Sequence, residues 1–154
     1  SSYHEISKIK VIFNKLTQNN MDKPRIIDLP KIFDPRGNLT FLQNQDQIPF
    51  TIERVFWIYD VPSGEFRGGH ANKRQYELII ALSGSFDIVV KNKNGDIHKF
   101  CLNRSYQGLY LPPNTWRYMD NFSTNSVSLH ICSTRFDESD YIRDFEEFKK
   151  NKHE

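Results

Sequence analysis

The sequence lacks long apolar runs and has few cysteines, and each absence excludes a class of protein. Its 154 residues include two cysteines, Cys101 and Cys132, without the C-x-x-C spacing of zinc or redox sites. We expect both to be buried free thiols. No segment approaches the ~20 apolar residues of a membrane span, and the N-terminus has no apolar stretch of signal-peptide length. The sequence therefore predicts a soluble, cytoplasmic protein.

A strong excess of one charge is also absent. The chain carries 21 Lys and Arg against 19 Asp and Glu, for a formal net charge of +2, and the two signs are mixed along its length. Binding of nucleic acid or a membrane needs clustered Lys and Arg, so we expect neither partner. The length fits one domain with a real core. A small anionic molecule remains a suitable ligand, held by a few converging basic side chains.

Strand signals dominate residues 25–135. Aromatic residues make up 14% of the sequence, and many lie beside β-branched residues, which favours strands. Asn94-Gly95 lies between two such runs and predicts a type I′ hairpin. Short strands separated by turn residues about every 8–12 positions are typical of a sandwich or barrel. The predicted strands cover 25–29, 39–42, 52–59, 75–82, 85–91, 97–102, 108–111 and 127–133.

Both ends of the chain differ from this pattern. Residues 1–24 are polar, with a few apolar residues at roughly helical spacing, and we predict a helical or flexible N-terminal extension there. Residues 25–154 then form the main domain. Near its end, acidic residues suited to a helix start precede an apolar stripe at helical spacing, which predicts an amphipathic C-terminal helix over about 138–150. The stripe consists of Tyr141, Ile142, Phe145 and Phe148.

The segment 64–84 carries the most chemical information. A glycine is followed after five residues by His70, then by Asn72, Glu77 and Gly84. His70 and Asn72 are two residues apart, so on a strand their side chains point to the same face. The spacing resembles the first cupin motif, with Asn72 in place of a second histidine. The second cupin motif is present only in outline over 108–121, where Arg117 or Tyr118 stands near the place of another histidine.

This replacement argues against a metal centre. A cupin metal site usually needs about three imidazoles and a carboxylate. The motif here supplies His70 and Glu77, whereas Arg117 is always cationic and has no lone pair to offer. We therefore expect no bound metal and no cofactor. A cationic lining that suits an anionic ligand is the better interpretation.

Among the cupins, the residues around His70 resemble those of one family in particular. The motif Arg67-Gly68-x-His70-Ala71-x-Lys73, with the turn 34–39 before it and residues 81–85 after it, resembles the WxcM-like sugar 3,4-ketoisomerases. The resemblance runs from about residue 25 to residue 148. Many members read His-Ala-His where this chain has His70-Ala71-Asn72. Asparagine can hydrogen-bond a sugar oxygen, but it cannot shuttle a proton near neutral pH.

The resemblance implies a fold and an activity. The expected fold is an all-β cupin jelly-roll barrel of antiparallel strands, assembled as a homodimer. The expected activity is the cofactor-free conversion of dTDP-4-keto-6-deoxyglucose to a dTDP-3-keto-6-deoxyhexose. In the family, this step leads to the 3-amino-3,6-dideoxy sugars of surface polysaccharides such as lipopolysaccharide. The stereochemistry at C4 of the product, galacto or gluco, stays open at this point.

The resemblance also suggests residue roles. One base above the C3–C4 edge of the sugar can take a proton from C3 and return it at C4, and His70 suits this task because imidazole titrates near neutral pH. Asn72, Arg36 and Arg117 are expected to support catalysis at the oxygens where negative charge develops. The predicted substrate-binding residues are Arg67, Lys73, Glu77 and Arg117.

Several of these assignments have structural alternatives. Arg67 could pair with Glu77 inside the domain, and Lys73 should face away from Asn72 on a strand. We expect Trp116 to be a core residue rather than a stacking surface for a nucleobase, and His130 to be structural. Two other functions also remain open. They are a nucleotide-sugar epimerase of the same barrel class and a non-catalytic sugar-binding cupin.

Overall fold

Short antiparallel strands make up most of the regular secondary structure, as the turn spacing predicts. A computed structural model of the chain describes residues 21–151. A 3-10 turn at Glu138–Asp140 precedes the last strand, and one helix, α1 (Phe145–Lys150), follows it. The strands are β1 (Arg25–Asp28), β2 (Lys31–Ile32), β3 (Leu39–Thr40), β4 (Arg54–Ile58), β5 (Arg67–Asn72), β6 (Glu77–Ser83), β7 (Phe86–Lys91), β8 (Ile97–Leu102), β9 (Gln107–Leu111), β10 (Trp116–Asp120), β11 (Val127–Cys132) and β12 (Tyr141–Ile142).

The strands form two five-stranded sheets and a small ribbon. The first sheet has the order β1-β9-β6-β11-β4, the second sheet has the order β12-β5-β10-β7-β8, and β2 pairs with β3. Every recorded pairing is antiparallel. From β4 to β11 the chain passes from one sheet to the other at each step, in jelly-roll order, except at the β7–β8 hairpin within the second sheet. The all-β cupin jelly-roll class is therefore confirmed, while closure into a barrel stays a prediction.

Because successive side chains on a strand point to opposite faces, one set lies between the two sheets and the other set lies on their outer faces. On β6, Ile79 and Ala81 point inward, and Leu78 and Ile80 pack on the outer face of the first sheet. We call the inward set the apolar core; it consists of Ile79, Ala81, Phe86, Ile88, Val90, Leu102, Leu109, Leu111 and Met119. The outer set is covered by Leu29, Ile48 and Phe50.

The predicted hairpin at Asn94-Gly95 is present, but its turn type is different. Strands β7 and β8 pair up to Lys91 opposite Ile97, and the Gly95 N–H donates to the Asn92 carbonyl at 3.0 Å. Only Gly95 has a positive φ in this loop, +89°. A type I′ turn needs positive φ at both central residues, so the type I′ prediction is wrong. The loop matches the three-residue hairpin that ends in a left-handed glycine.

The predicted helix over 138–150 is wrong in its first half. Helix α1 begins only at Phe145, where the Asp144 side chain accepts the Glu147 N–H and caps it. Strand β12 lies upstream and pairs with the end of β5, because the edge of the second sheet offers it backbone hydrogen bonds. The buried Ile142 of β12 packs against Ala71 and Trp116.

The predicted N-terminal extension, 1–24, lies outside the described residues except for 21–24, and it stays a prediction. Within residues 21–151, no helix is long and apolar enough to cross a membrane.

Candidate active site

Polar side chains fill one end of the space between the two sheets. The second sheet contributes His70 on β5 and Arg117 on β10, which are direct partners in the strand register. The first sheet contributes Glu77 on β6 and His130 on β11. The Glu77 Oε2 atom lies 3.3 Å from Arg117 Nη2 and 3.3 Å from His130 Nδ1. We call these four residues, together with Asn72, the polar cluster.

The centre of the polar cluster is a buried ion pair. Glu77 and Arg117 are each 2% exposed. Burial alone would raise the pKa of Glu77, but the charge of Arg117 and the hydrogen bond from His130 hold it well below its usual range. Gln75 Nε2 also donates to the carboxylate at 2.9 Å. Glu77 is therefore an anion that fixes its neighbours.

Arg117 keeps one donor free. Its Nη1 atom donates to the Thr115 carbonyl at 3.2 Å. Its Nη2 atom forms the ion pair with Glu77 but has no hydrogen-bond partner among the described residues. A buried guanidinium N–H without a partner is costly. An oxygen of a bound ligand would satisfy it.

His70 is held at both ring nitrogens. Its Nδ1 atom lies 2.6 Å from the Gly68 carbonyl oxygen, and its Nε2 atom lies 3.0 Å from Asn72 Oδ1. Gly68 has a φ of +76°, a conformation that favours glycine and that directs its carbonyl toward the ring. Burial, and then the charge of Arg117, lower the pKa of His70 from 6.5 to about 3. The imidazole is therefore neutral near neutral pH and can accept a proton.

Residues distant in sequence complete the surroundings of His70. Tyr141 on β12 lies with its ring centroid 4.9 Å from that of His70. Its hydroxyl accepts a hydrogen bond from Arg54 Nη2 at 3.0 Å. Asp140 accepts a hydrogen bond from the fully buried Asn72. The sequence motifs do not identify Arg54, Asp140 or Tyr141, because only the tertiary fold brings these residues near the motif.

The structure brings together only some of the predicted site residues. His70, Asn72, Glu77 and Arg117 meet in the polar cluster, whereas Arg36, Arg67 and Lys73 do not. The Arg36 side chain is 90% exposed and pairs with Asp34 in a turn.

The other two predicted basic residues are also exposed. Arg67 does not pair with Glu77, whose cationic partner is Arg117. It borders a groove of about 300 Å³ beside Phe66 and Trp116. Lys73 is exposed just beyond the end of β5, as its alternation with Asn72 predicts.

Trp116 and His130 were both expected to be structural residues, and the structure shows a different environment for each. Trp116 is buried against Phe145 and Phe148, so its prediction as a core residue is confirmed. His130 stacks on Phe56 at 4.3 Å, as a structural residue would, but it also contacts Glu77 in the polar cluster. Within residues 21–151, no group of three or more His, Cys, Asp or Glu side chains is placed to hold a metal ion.

Comparison with known proteins identifies the family of this chain. The family model described as FdtA: WxcM-like, C-terminal matches residues 22–153. The chain belongs to this family. The family resemblance noted in the sequence is thereby confirmed.

Relatives of this FdtA family member are 3,4-ketoisomerases by name. The TDP-4-oxo-6-deoxy-alpha-D-glucose-3,4-oxoisomerase of Aneurinibacillus thermoaerophilus is 36% identical over 126 residues, which are 82% of this chain and 90% of that enzyme. The WlaRB TDP-quinovose 3,4-ketoisomerase of Campylobacter jejuni is 40% identical, with a TM-score of 0.79 over 84% of this chain and 98% of that one.

A third relative has been solved with a sugar nucleotide. It is a histidine-to-asparagine mutant of the 3,4-ketoisomerase QdtA from Thermoanaerobacterium thermosaccharolyticum, in complex with TDP-4-keto-6-deoxyglucose. It is 33% identical, with a TM-score of 0.80 over 82% of this chain and 91% of that one.

Proposed function

We propose that this chain is a 3,4-ketoisomerase that acts on TDP-4-keto-6-deoxyglucose, with His70 as the base. The observation that carries the proposal is the His70 imidazole directly opposite the buried Arg117 guanidinium, whose Nη2 donor has no hydrogen-bond partner among the described residues. Direct partners in antiparallel strands have Cβ atoms only about 5 Å apart, close enough for both side chains to reach one sugar edge. The names of the relatives support the same reaction and the same substrate class.

The proposed reaction moves one proton between adjacent carbons. His70 takes the proton from C3, and the C–H electron pair forms the C3–C4 double bond of an enediolate. The negative charge that develops on the C4 oxygen is stabilised by Arg117 Nη2. The protonated His70 then delivers a proton to C4, while the C3 hydroxyl loses its proton and the C4 oxygen gains one. The ketone ends at C3 without any net oxidation.

Carbon-13 at C4 of the substrate provides a test that separates the three candidate functions. A ketoisomerase converts the labelled ketone signal into a labelled alcohol signal, while a new ketone appears at C3. An epimerase leaves the ketone at C4 and inverts a neighbouring centre. A binding module shifts or broadens the signals without forming a product. We expect the first result, and either of the other two would overturn the proposal.

We also propose that the enzyme is a homodimer formed through the outer face of the first sheet. Strand β4 is an edge strand of this sheet, and it exposes Val55 and Trp57 outward. Leu82 on β6 adds a third exposed apolar side chain. Exposed apolar residues on a sheet edge are a typical site of association.

Light scattering can test this interface with a matched pair of variants. Trp57 is 58% exposed on the first sheet, and Ile97 is 56% exposed on the second. We expect Trp57→Glu to yield monomers and Ile97→Glu to leave dimers intact. A monomeric wild-type protein, or equal behaviour of the two variants, would contradict this interface. A cytoplasmic location is proposed with this function, because two free thiols suit a reducing compartment. Cys132 is buried as expected, whereas Cys101 is exposed, so the prediction that both are buried is wrong for Cys101.

A further inference from the structure

The hydroxyl of Tyr141 lies between the two sheets, beside the polar cluster. Tyr141 is the register partner of Asn72, so both side chains lie on the face of the second sheet that also carries His70. From that face the phenol reaches across to the first sheet, where Arg54 Nη2 donates to its oxygen at 3.0 Å. The ring centroids of Tyr141 and His70 are 4.9 Å apart. A hydroxyl therefore lies close to the proposed base, and the proposed function gives it no task.

The hydrogen bond from Arg54 determines what the Tyr141 hydroxyl can still do. A guanidinium only donates hydrogen bonds, so the phenol oxygen must be the acceptor in this contact. The Tyr141 O–H therefore points elsewhere, and it has no recorded acceptor within residues 21–151. Arg54 itself is held in place, because its Nη2 atom also donates to the buried Gln75 at 2.8 Å. The phenol thus keeps one free donor.

The charge of Arg54 would stabilise Tyr141 after the loss of its proton. The recorded hydrogen-bond partners of this guanidinium are the Gln75 amide, the Cys132 thiol and the Tyr141 phenol. No carboxylate in the described part of the chain therefore neutralises Arg54. A hydrogen bond between a cation and an anionic oxygen is about twice as strong as one between neutral groups. The contact between Arg54 and Tyr141 is accordingly strengthened when the phenol becomes a phenolate.

The proposed reaction needs a proton transfer between oxygens as well as one between carbons. The C4 oxygen must gain a proton and the C3 hydroxyl must lose one as the ketone moves. His70 carries the carbon-bound proton, and Arg117 cannot release a proton because its guanidinium stays charged. The two oxygens are on adjacent carbons, so a single hydroxyl beside His70 can reach both. A phenol can give a proton to one oxygen and take a proton from the other.

We propose that Tyr141 is a second catalytic residue, which transfers a proton from the C3 oxygen of the sugar to the C4 oxygen. This inference rests on the proposed function. The Tyr141 O–H protonates the C4 oxygen of the enediolate, and the resulting phenolate takes the proton of the C3 hydroxyl. The O–H bond that breaks in the first transfer is restored in the second, so no other reactant is consumed. The charged or titratable groups around the phenol are Arg54, His70 and Arg143, which pairs with Glu138.

Tyr141→Phe removes the hydroxyl and keeps the ring. We expect kcat to fall about 100-fold with a smaller change in KM, because a positioned proton donor typically contributes about 100-fold or more. An unchanged kcat would overturn the proposal.

Tyr106→Phe is the matched control. Tyr106 is partly buried like Tyr141, and each ring has a cation over it, Lys31 at 4.7 Å and Arg143 at 4.5 Å. Tyr106 lies next to the end of β9 that is farther from Glu77. We expect its kcat to equal that of the wild type. Equal losses in the two variants would show that the removal of any such hydroxyl disturbs the enzyme, which would contradict a specific role for Tyr141.

Replacement of Tyr141 by 3-fluorotyrosine separates a catalytic hydroxyl from a structural one. The fluorinated phenol can still accept the hydrogen bond from Arg54, but it is more acidic than tyrosine. If the phenol must be protonated to act, the fall of kcat/KM at alkaline pH should move to lower pH in the fluorinated protein. A hydroxyl that only accepts the bond from Arg54 would leave the pH profile unchanged. That result would rule out the proposed proton transfer.

Fluorine NMR of the same protein gives a readout that does not depend on turnover. The two probes are TDP and TDP-6-deoxyglucose, which has a hydroxyl at C4 and cannot be isomerised. We expect the signal of residue 141 to shift with TDP-6-deoxyglucose and not with TDP, because the phenol contacts the sugar oxygens. The same spectrum with both probes would overturn the proposal even in an active enzyme. If the signal shifts as expected but the wild type shows no isomerase activity, the sugar contact stands and the proposed function fails.

Discussion

The inner faces of β6 and β10 are polar at one end of the strands and apolar at the other. On the inner face of β6, Glu77 is followed at two-residue steps by Ile79 and Ala81. On β10, Arg117 is followed by Met119. One end therefore belongs to the polar cluster and the other to the apolar core. The same strand pairing fixes both ends, but the two are held by different forces.

The stability of the apolar core depends on the volume and the area that its side chains bury. The arrangement of the polar cluster depends instead on each hydrogen bond and ion pair. Burial of apolar area stabilises the fold by about 25 cal/mol per Å². A buried ion pair such as Glu77–Arg117 adds little net stability, because the desolvation of both charges offsets their attraction. Removing one partner nevertheless leaves the other charge buried alone. We conclude that the polar cluster is present for chemistry, and that the apolar core keeps it rigid.

The largest effect is expected from His70→Asn. Loss of the base should lower turnover about 1000-fold or more, while the melting temperature and TDP binding change little. His98→Asn is the control, since His98 is exposed on β8. Turnover of the TDP-sugar retained by the His70 variant would remove the imidazole from the mechanism.

A smaller loss is expected from Arg117→Met. The enediolate would lose its donor, and we expect kcat to fall about 100-fold. Stability should also drop by about 3–5 kcal/mol, because Glu77 would lose its cationic partner while buried. Urea denaturation and steady-state kinetics of the same preparation measure both effects. An unfolding free energy equal to that of the wild type in Arg117→Met would contradict the buried ion pair between Glu77 and Arg117.

In the apolar core, we expect a substitution to lower stability and to leave turnover nearly unchanged. Leu109 is fully buried, and Leu109→Ala should cost about 2–5 kcal/mol of unfolding free energy. The turnover of the folded fraction should stay near wild type. The exposed Ile97 offers a control, since Ile97→Ala should change stability by less than about 0.5 kcal/mol. A lower kcat in fully folded Leu109→Ala would show that the activity of the polar cluster depends directly on the packing of the apolar core.

The smallest effect is expected from pH. Because the pKa of His70 is lowered to about 3, the ring is already neutral near pH 6.5, where a free histidine titrates. We expect kcat/KM to stay level from about pH 5 to pH 7.5. A fall in kcat/KM centred near pH 6.5 would contradict the assigned environment.

The same shift gives stability a defined pH dependence. The folded-state pKa of His70 lies below its unfolded value, so protonation favours the unfolded chain. The contribution to stability is present above about pH 6.5 and is lost as pH falls from there toward 3. The wild-type protein should therefore lose more stability on acidification than His70→Asn does.

Local sequence signals predicted every strand of the first sheet, but only β7 and β8 of the second sheet. Strand β8 was predicted with its observed bounds, because alternation and the turn at Asn94-Gly95 are encoded within a few residues. The helix over 138–150 was wrong for a physical reason. Helical spacing of Tyr141 and Ile142 is visible in the sequence, but the open edge of β5 that binds them instead is not.

The candidate site was predicted where the motif is contiguous and missed where it is not. His70, Asn72 and Glu77 lie within eight residues of one another in the sequence, and Arg117 was found from the second cupin motif. Asp140 is 68 residues from Asn72, and Tyr141 is 87 residues from Arg54. No spacing rule links such pairs, because only the strand order places them side by side.

The central claim is that His70 removes the C3 proton of the sugar and returns a proton at C4. Substrate deuterated at C3 tests it most directly, with the product analysed by NMR after a single turnover. The account predicts that the deuterium leaves C3 in the wild type, with part of it found at C4, and that it stays in place with His70→Asn. Deuterium retained at C3 by the wild-type enzyme would contradict the account.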